Sequence, residues 1–245
     1  MATEVLSKGS TQPELGTFDA PTFITTWNCP YAQRTWIALN EKGVKYNRVF
    51  VDLKEKPEWF FPLNPYGRVP TLAWKDGRGT HSLYESLICN EFVEDAFEGP
   101  SLLPEDPVQR AQVRLLIDQF GAKVGPAFGK AIFASEDEAP AAGKALGEAL
   151  TWLDSALDPT GPYAAGANFT LADAALTPFV IRVSLLQGLI GYKVPEGLDR
   201  VKAWQAVVLD RQSVKDSIVP PDPSKGWEEQ LLESYRAYLA SRRAA

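Results

Sequence analysis

Histidine and cysteine are scarce in this chain, and their scarcity excludes several kinds of chemistry. His81 is the only histidine in 245 residues, so we expect neither a histidine-activated nucleophile nor a metal site. Two cysteines, Cys29 and Cys89, are too few for a disulfide framework. Because cysteine-poor chains are typical of reducing compartments, we expect a cytoplasmic protein.

The chain has fewer positive than negative charges, and it has few long apolar runs. Lys and Arg number 25 against 31 Asp and Glu, and the net charge of −6 argues against a nucleic-acid partner. The first residues lack the basic and apolar regions of a signal peptide. Asp173, Pro178 and Arg182 interrupt the most apolar stretch, residues 171–190, so we expect a soluble protein with no membrane partner.

What the sequence does contain is a thiol between a predicted strand and a predicted helix. Residues 22–27 are β-branched and aromatic, as in a short strand, and a helix is expected from about 30 to 42, ended by Gly43. Pro30 suits the first helical position, which places Cys29 at or near the N-cap. The pKa of a thiol in such a place can fall from about 8.5 to roughly 3.5–7.5. The alternative is a buried, inert cysteine.

The two cysteines differ in their sequence surroundings. Cys29 has no second cysteine two residues after Pro30, so an internal disulfide cannot form there and a resolving thiol must come from elsewhere. Cys89 lies in the middle of a predicted helix beside Ile88, and we expect it to be packed rather than reactive.

The order of predicted elements divides the chain into an α/β half and a helical half. Residues 1–20 are polar and aperiodic, as in an extended N-terminal arm. Residues 21–98 follow the order β-α-β then β-β-α, which is thioredoxin-like. A proline-rich linker, 99–106, precedes an all-helical domain, 107–245. Its helices are expected at about 107–134, 139–157, 171–190, 198–210 and 225–241, with Thr170 and Asp173 in a capping box.

Four segments carry a family resemblance: Cys29-Pro30-Tyr31-Ala32-Gln33-Arg34, residues 52–60, residues 64–72 and residues 84–88. With the helical half, they resemble a cytosolic glutathione transferase with a cysteine active site. Lys-Pro-Glu-Trp-Phe at 56–60 is similar to the Omega class, whereas the segment around Cys29 is closer to the Lambda class. The fold implied is an α/β thioredoxin-like N-terminal domain plus an all-α C-terminal helical domain.

The resemblance implies glutathione as cosubstrate and Cys29 as the catalytic residue. The activity implied is a glutathione-dependent thiol transferase, or deglutathionylating reductase, that acts through a Cys29–glutathione mixed disulfide on glutathionylated or disulfide substrates. The alternative is a non-catalytic protein that binds aromatic or hydrophobic metabolites. Small hydrophobic or glutathionylated molecules are the expected partners, and both a monomer and a homodimer are compatible with the sequence.

The resemblance also assigns residues to glutathione. Val69-Pro70 matches the family's cis-proline site, and Lys56 matches a cation near the glycyl carboxylate. Ser86 would bind the γ-glutamyl carboxylate and Glu85 the ammonium group. The alternatives are a capping box from Ser82 to Glu85 and a solvated surface lysine at 56. The full set implied is Tyr31, Leu53, Lys56, Val69, Pro70, Glu85 and Ser86.

A second-substrate pocket is implied in the helical half. Phe120, Val124 and Phe128 recur at i+4 spacing and could form one wall of it. Arg182, Trp227 and Tyr235 match pocket positions of the Omega class. The alternative for the apolar residues is a packed core, which has the same spacing.

Overall fold

The computed structural model describes residues 4–243, with side chains up to residue 241, and the chain forms two compact units. Unit 1 runs to Leu102 and includes Asp216–Asp222, whereas unit 2 comprises Leu103–Lys215 and the chain from Pro223 onward. The boundary falls within the predicted linker. The return of residues 216–222 to unit 1 differs from the expected uninterrupted helical domain. One hydrogen bond that ties this segment runs from Gln33 Nε2 to Ser217 Oγ, at 2.9 Å.

Unit 1 has the predicted thioredoxin-like order of elements. Its five-stranded sheet has the order β1-β3-β2-β4-β5 over the described residues. Strand β2 pairs in parallel with β3 and antiparallel with β4, and β4 pairs antiparallel with β5. The elements are β1 (Val5–Leu6), β2 (Thr22–Thr25), α1 (Pro30–Lys42), β3 (Asn47–Val51), a 3₁₀ helix (Glu58–Phe60), β4 (Thr71–Asp76), β5 (Gly79–Tyr84) and α2 (Ser86–Ala96).

The N-terminal arm is extended, as expected, and from residue 4 onward it is part of unit 1. Strand β1 pairs in parallel with β3, which adds a strand to the sheet that the sequence did not reveal. Leu15 is buried, and the Phe18 ring lies 5.5 Å from the Phe97 ring and 5.8 Å from the Trp74 ring. The burial of Leu15 and the ring contacts of the more exposed Phe18 anchor the arm. Residues 1–3 of the predicted arm lie outside the described residues.

Helix α1 begins and ends where its sequence predicts. Cys29 is the N-cap residue and Pro30 follows it. Gly43 has φ of 71°, a left-handed conformation that favours glycine, and its N–H donates to the carbonyl of Asn40. The C-terminal end is tied to α2 by a 2.6 Å ion pair between Lys42 and Glu94. Both ends of the helix that follows the thiol are therefore fixed.

The described part of unit 2 is helical. Its elements are α3 (Pro107–Phe133), α4 (Ala139–Ala156), α5 (Leu171–Val180), α6 (Leu185–Ile190), α7 (Asp199–Asp210), α8 (Gln212–Lys215) and α9 (Trp227–Arg243). Helices α3 and α4 match their predicted ranges within a residue, whereas the short α8 was not predicted.

The single helix predicted over 171–190 is wrong, because the chain breaks between α5 and α6. The N–H of Arg182 donates to the Phe179 carbonyl, in an i to i−3 pattern, and its guanidinium donates to the Pro178 carbonyl. The Arg182 side chain thus replaces the Arg182 N–H as the donor to the Pro178 carbonyl. The chain leaves the α-helical pattern here for tighter turns with i to i−3 hydrogen bonds. Against expectation, Leu171–Ile190 is apolar enough to cross a membrane by length and composition, with mean hydropathy of 1.3. Because 72% of that window is buried, as in core helices of soluble proteins, this is weak evidence for a membrane span.

The predicted capping box at the start of α5 is present and extends into a buried network. The Asp173 carboxylate accepts hydrogen bonds from the Thr170 N–H at 2.8 Å, the Ala164 N–H at 2.8 Å and the Trp204 indole at 2.7 Å. Asp173 is fully buried, and this burial raises its pKa despite the hydrogen bonds. One side chain therefore joins the start of α5 to α7 and to the preceding loop.

We predict that Asp173→Ala lowers the free energy of unfolding by about 3 kcal/mol, because several buried donors lose their acceptor at once. Urea unfolding followed by circular dichroism measures the change. Asp158→Ala is the matched control, since that carboxylate accepts similar backbone bonds in an exposed turn and its loss should cost less than about 1 kcal/mol. Equal losses for the two variants would contradict this role for the network.

Candidate functional site

Three chain segments meet at one edge of the unit 1 sheet. Thr71 pairs with Ile24 of β2 on one side and with Tyr84 of β5 on the other. This register brings the end of β2, the start of β4 and the end of β5 together. We call the residues that continue from these ends the thiol edge, and they are Cys29, Val69, Pro70, Glu85 and Ser86.

Cys29 occupies the N-cap position that the sequence predicts. Its backbone is extended, with φ of −83° and ψ of 118°, and its carbonyl accepts the Gln33 N–H at 3.1 Å. Within the described chain, its side chain makes no capping hydrogen bond to α1. Cys29 is partly exposed and packs against the core of unit 1. The first N–H groups of a helix and its dipole favour negative charge at such a position.

Cys89 has the opposite environment. It lies in α2 with none of its surface exposed, and its thiol is free. Burial, and secondly the charge of Glu85, raise the pKa of the Cys89 thiol to about 12. At neutral pH this thiol is protonated and inaccessible, as expected from its position beside Ile88.

Glu85 and Ser86 form the start of α2, and their geometry removes one alternative. Within the described chain, Glu85 makes no capping hydrogen bond to α2, and Ser82 Oγ donates to the Leu63 carbonyl at 2.7 Å instead. The capping-box interpretation of these residues is therefore wrong. Glu85 has φ of 69°, a conformation that costs energy in a residue other than glycine and is often found at functional sites.

The Val69–Pro70 peptide bond is cis, as the resemblance implies. The preceding turn is held by Asn64, a residue outside the predicted set of glutathione contacts. Its amide donates to the Arg68 carbonyl at 2.7 Å and to Thr71 Oγ1 at 3.0 Å, and its oxygen accepts the Tyr66 N–H. Asn64 is almost fully buried, so these bonds fix the chain on either side of Val69–Pro70. The turn composition of residues 64–67 was the available signal.

Lys56 lies beside this turn, and Gly67 makes room for it. A Cβ at Gly67 would be 3.0 Å from Lys56 Cδ and 3.5 Å from its Nζ, and Gly67 has φ of 55°. Lys56 is half-buried, which favours the motif interpretation over that of a freely solvated lysine. The two remaining residues of the predicted set, Leu53 and Tyr31, expose 37% and 49% of their surface.

The apolar residues predicted to line a second pocket are instead packed inside unit 2. The rings of Phe120 and Phe128 lie 5.7 and 5.6 Å from that of Phe179, and Val124 is equally buried. This burial favours the core alternative for all three residues, because their spacing fits both. Arg182 is also fully buried, with its guanidinium 5.1 Å from the Trp227 ring. Trp227 and Tyr235 are half-buried, and their assignment to a pocket stays a prediction.

His81 has a packing role. Its Nε2 lies 2.9 Å from Asp76 Oδ1, and its ring stacks on Trp74 at 5.5 Å. Across the part of the chain that the structure describes, no group of three or more His, Cys, Asp or Glu residues could hold a metal ion.

Known proteins similar to this chain share both of its halves. The family models described as glutathione S-transferase, N-terminal domain, and glutathione S-transferase, C-terminal domain, match residues 28–96 and 136–204. Glutathione S-transferase omega-1 of Sus scrofa is 30% identical to this chain, over 84% of this chain and 83% of the length of that protein. Probable glutathione S-transferase DHAR1, cytosolic, of Oryza sativa subsp. japonica is 30% identical to this chain, over 84% of this chain and 92% of the length of that protein. The crystal structure of glutathione transferase Omega 3C from Trametes versicolor has a TM-score of 0.75 and 34% identity, covering 90% and 92% of the two chains.

We predict that iodoacetamide modifies the native protein once, at Cys29, because Cys89 is buried and protonated. Intact mass and peptide mapping give the number and place of the adducts. In urea both cysteines should react, and native Cys29→Ser should take up no label. Modification of native Cys89 at a comparable rate would contradict the environment described for it.

Proposed function

The chain belongs to the glutathione transferase family and is an enzyme of the Omega type, and on this premise we propose that it is a glutathione-dependent thiol transferase and deglutathionylating reductase. The observation that carries the proposal is the partly exposed thiol of Cys29 at the N-terminus of α1. The other thiol, Cys89, is buried and protonated, which leaves Cys29 as the candidate nucleophile.

The proposed reaction is a pair of thiol–disulfide exchanges. The Cys29 thiolate attacks the glutathione sulfur of a glutathionylated substrate, so that the substrate disulfide breaks and the substrate leaves as a thiolate that takes up a proton. The enzyme now holds a Cys29–glutathione mixed disulfide. A second glutathione thiolate attacks the glutathione sulfur of this disulfide, which releases the Cys29 thiolate and oxidised glutathione. In the net reaction one glutathione thiol is consumed and the substrate thiol is released, and the glutathione taken from the substrate forms the other half of the oxidised glutathione.

The thiol edge offers groups that suit the glutathione part of this substrate. Ser86 is the first residue of α2, and its hydroxyl and the helix N-terminus would bind the γ-glutamyl carboxylate, whereas Glu85 would bind the ammonium group. The main chain of Val69, before Pro70, would pair with the cysteinyl part. Lys56 would take the glycyl carboxylate, with Tyr31 and Leu53 at the periphery. No metal takes part in the proposed chemistry.

Thiol transfer is preferred over ordinary conjugation for a chemical reason. Conjugation requires a hydroxyl that stabilises the glutathione thiolate without competing for the electrophile. A cysteine thiolate at that position would itself react with a disulfide or an electrophile. We further propose a cytoplasmic location, since Cys29 and Cys89 form no disulfide within the described residues. Trp227 and Tyr235 are proposed to contact small hydrophobic second substrates.

We predict that Cys29→Ser abolishes reduction of hydroxyethyl disulfide and of a glutathionylated peptide, with at least a hundredfold loss, while glutathione binding survives. Serine keeps the size and a hydrogen-bond donor but lacks the soft nucleophile. Cys89→Ser is the matched control and should keep most of the activity. Strong conjugation of chlorodinitrobenzene by the parent enzyme, together with no disulfide reduction, would overturn the proposal.

We predict that Lys56→Ala raises the KM for glutathione about tenfold with little change in kcat. A carboxylate contact remote from the sulfur is similar in the ground and transition states, so its loss weakens binding rather than chemistry. The matched control is Lys54→Ala, because Lys54 is an exposed lysine of the same loop. A loss confined to kcat, or an equal effect in the control, would show that Lys56 is misassigned.

A further inference from the structure

Arg34 is a buried cation in the helix that follows the thiol. It lies in the second turn of α1, and only 5% of its surface is exposed. Burial lowers the pKa of its guanidinium to about 10, so the group is charged at neutral pH. A charged group is taken out of water at a considerable cost, and neighbours of opposite charge or good hydrogen-bonding capacity must offset it.

The neighbours of Arg34 include two residues of the thiol edge, Ser86 and Cys29, together with Tyr31. Its Nη1 donates to Ser86 Oγ at 3.4 Å, and the guanidinium carbon lies 5.3 Å from the centre of the Tyr31 ring. Its charge also interacts favourably with the ionised form of Cys29. Arg34 therefore lies among three residues that the proposed function uses, yet the reaction assigns it no role.

The adjacent residue of α1 supports the same contact. Thr35 Oγ1 lies 3.3 Å from the Ser86 carbonyl and 3.0 Å from Asn90 Oδ1, and all three residues are buried. Arg34 and Thr35 thus bind the first turn of α2 at two successive positions. A displacement of Arg34 would move the Ser86 hydroxyl relative to the thiol.

We propose that Arg34 is a positioning residue with two separable roles: its charge stabilises the Cys29 thiolate, and its planar group holds the Ser86 hydroxyl toward the γ-glutamyl carboxylate. The inference deepens the proposed function and rests on it for the identity of the ligand. The two roles need different properties of arginine. The first requires a positive charge, whereas the second requires the rigid donor geometry of a guanidinium.

Two substitutions separate these roles. Arg34→Met removes the charge and the donors at similar volume. At the effective dielectric of a partly buried site, losing a nearby cation raises the pKa of a thiol by roughly one unit. The pH midpoint of Cys29 alkylation should therefore rise by about one unit in this variant. Arg34→Lys keeps the charge, so its midpoint should stay near that of the parent, but its affinity for glutathione should fall about fivefold.

The readouts are independent of turnover. Stopped-flow alkylation by iodoacetamide from pH 5 to 10 gives the midpoint, and calorimetric titration with S-methylglutathione, which cannot form a disulfide, gives the affinity. Arg48→Met is the matched control, because Arg48 is an exposed arginine of unit 1 whose guanidinium also lies over aromatic rings, 4.7 Å from the Trp36 ring and 4.9 Å from the Phe50 ring. The control should change neither quantity. Should Arg34→Met fail to fold, Arg34→Gln gives the same test of charge.

An unchanged alkylation midpoint in the uncharged variants would overturn the first role. Parental affinity for S-methylglutathione in Arg34→Lys would overturn the second. A parent enzyme without disulfide reductase activity would instead refute the proposed function, and the alkylation profiles would still report on Arg34 and Cys29. The failures of the two proposals are therefore distinguishable.

Discussion

Thr71 pairs with strands on both of its sides, and the position of every segment of the thiol edge depends on that register. The residue is fully buried, and its hydroxyl is hydrogen-bonded to Asn64 as well. A slip of one residue in either pairing would turn the side chains of β4 to the other face of the sheet. It would also move Val69–Pro70 away from the loop that carries Cys29. The pairing of the strands therefore determines the relative positions of the site residues, and the starts of α1 and α2 carry Cys29, Glu85 and Ser86.

Local signals in the sequence were sufficient for elements whose ends are determined by neighbouring residues. Pro30 and Gly43 define α1, and Thr170 with Asp173 defines the start of α5, because caps act within one helical turn. Elements that depend on distant partners were missed. Strand β1 has two residues and exists only through its pairing with β3, and Ser217 joins unit 1 through Gln33, 184 positions away. No local pattern encodes such contacts.

The candidate site was predictable to the extent that its residues belong to motifs. The segments around Cys29, Val69 and Glu85 were recognisable by resemblance, and the register at Thr71 brings them together. The spacing of Phe120 and Phe128 leaves two interpretations open, because i+4 spacing is the same for a pocket wall and for a packed core, and their burial favours the core. The burial of Arg34 was not predictable, for a different reason. Arginines in helices are mostly exposed, and no local pattern indicates that this one is buried against Ser86.

The burial of Arg34 bears on why an arginine is found there at all. An apolar side chain of similar volume at a buried position is often as stabilising as an ion with its partners, or more so. Burial lowers the pKa of Arg34 to about 10, while Tyr31 and Cys29 act in the opposite direction. If the fold alone determined this residue, leucine or methionine would avoid the desolvation cost. The proposed function gives the charge a use that the fold does not require, because in that proposal the partly exposed Cys29 sulfur at the start of the same helix reacts as a thiolate.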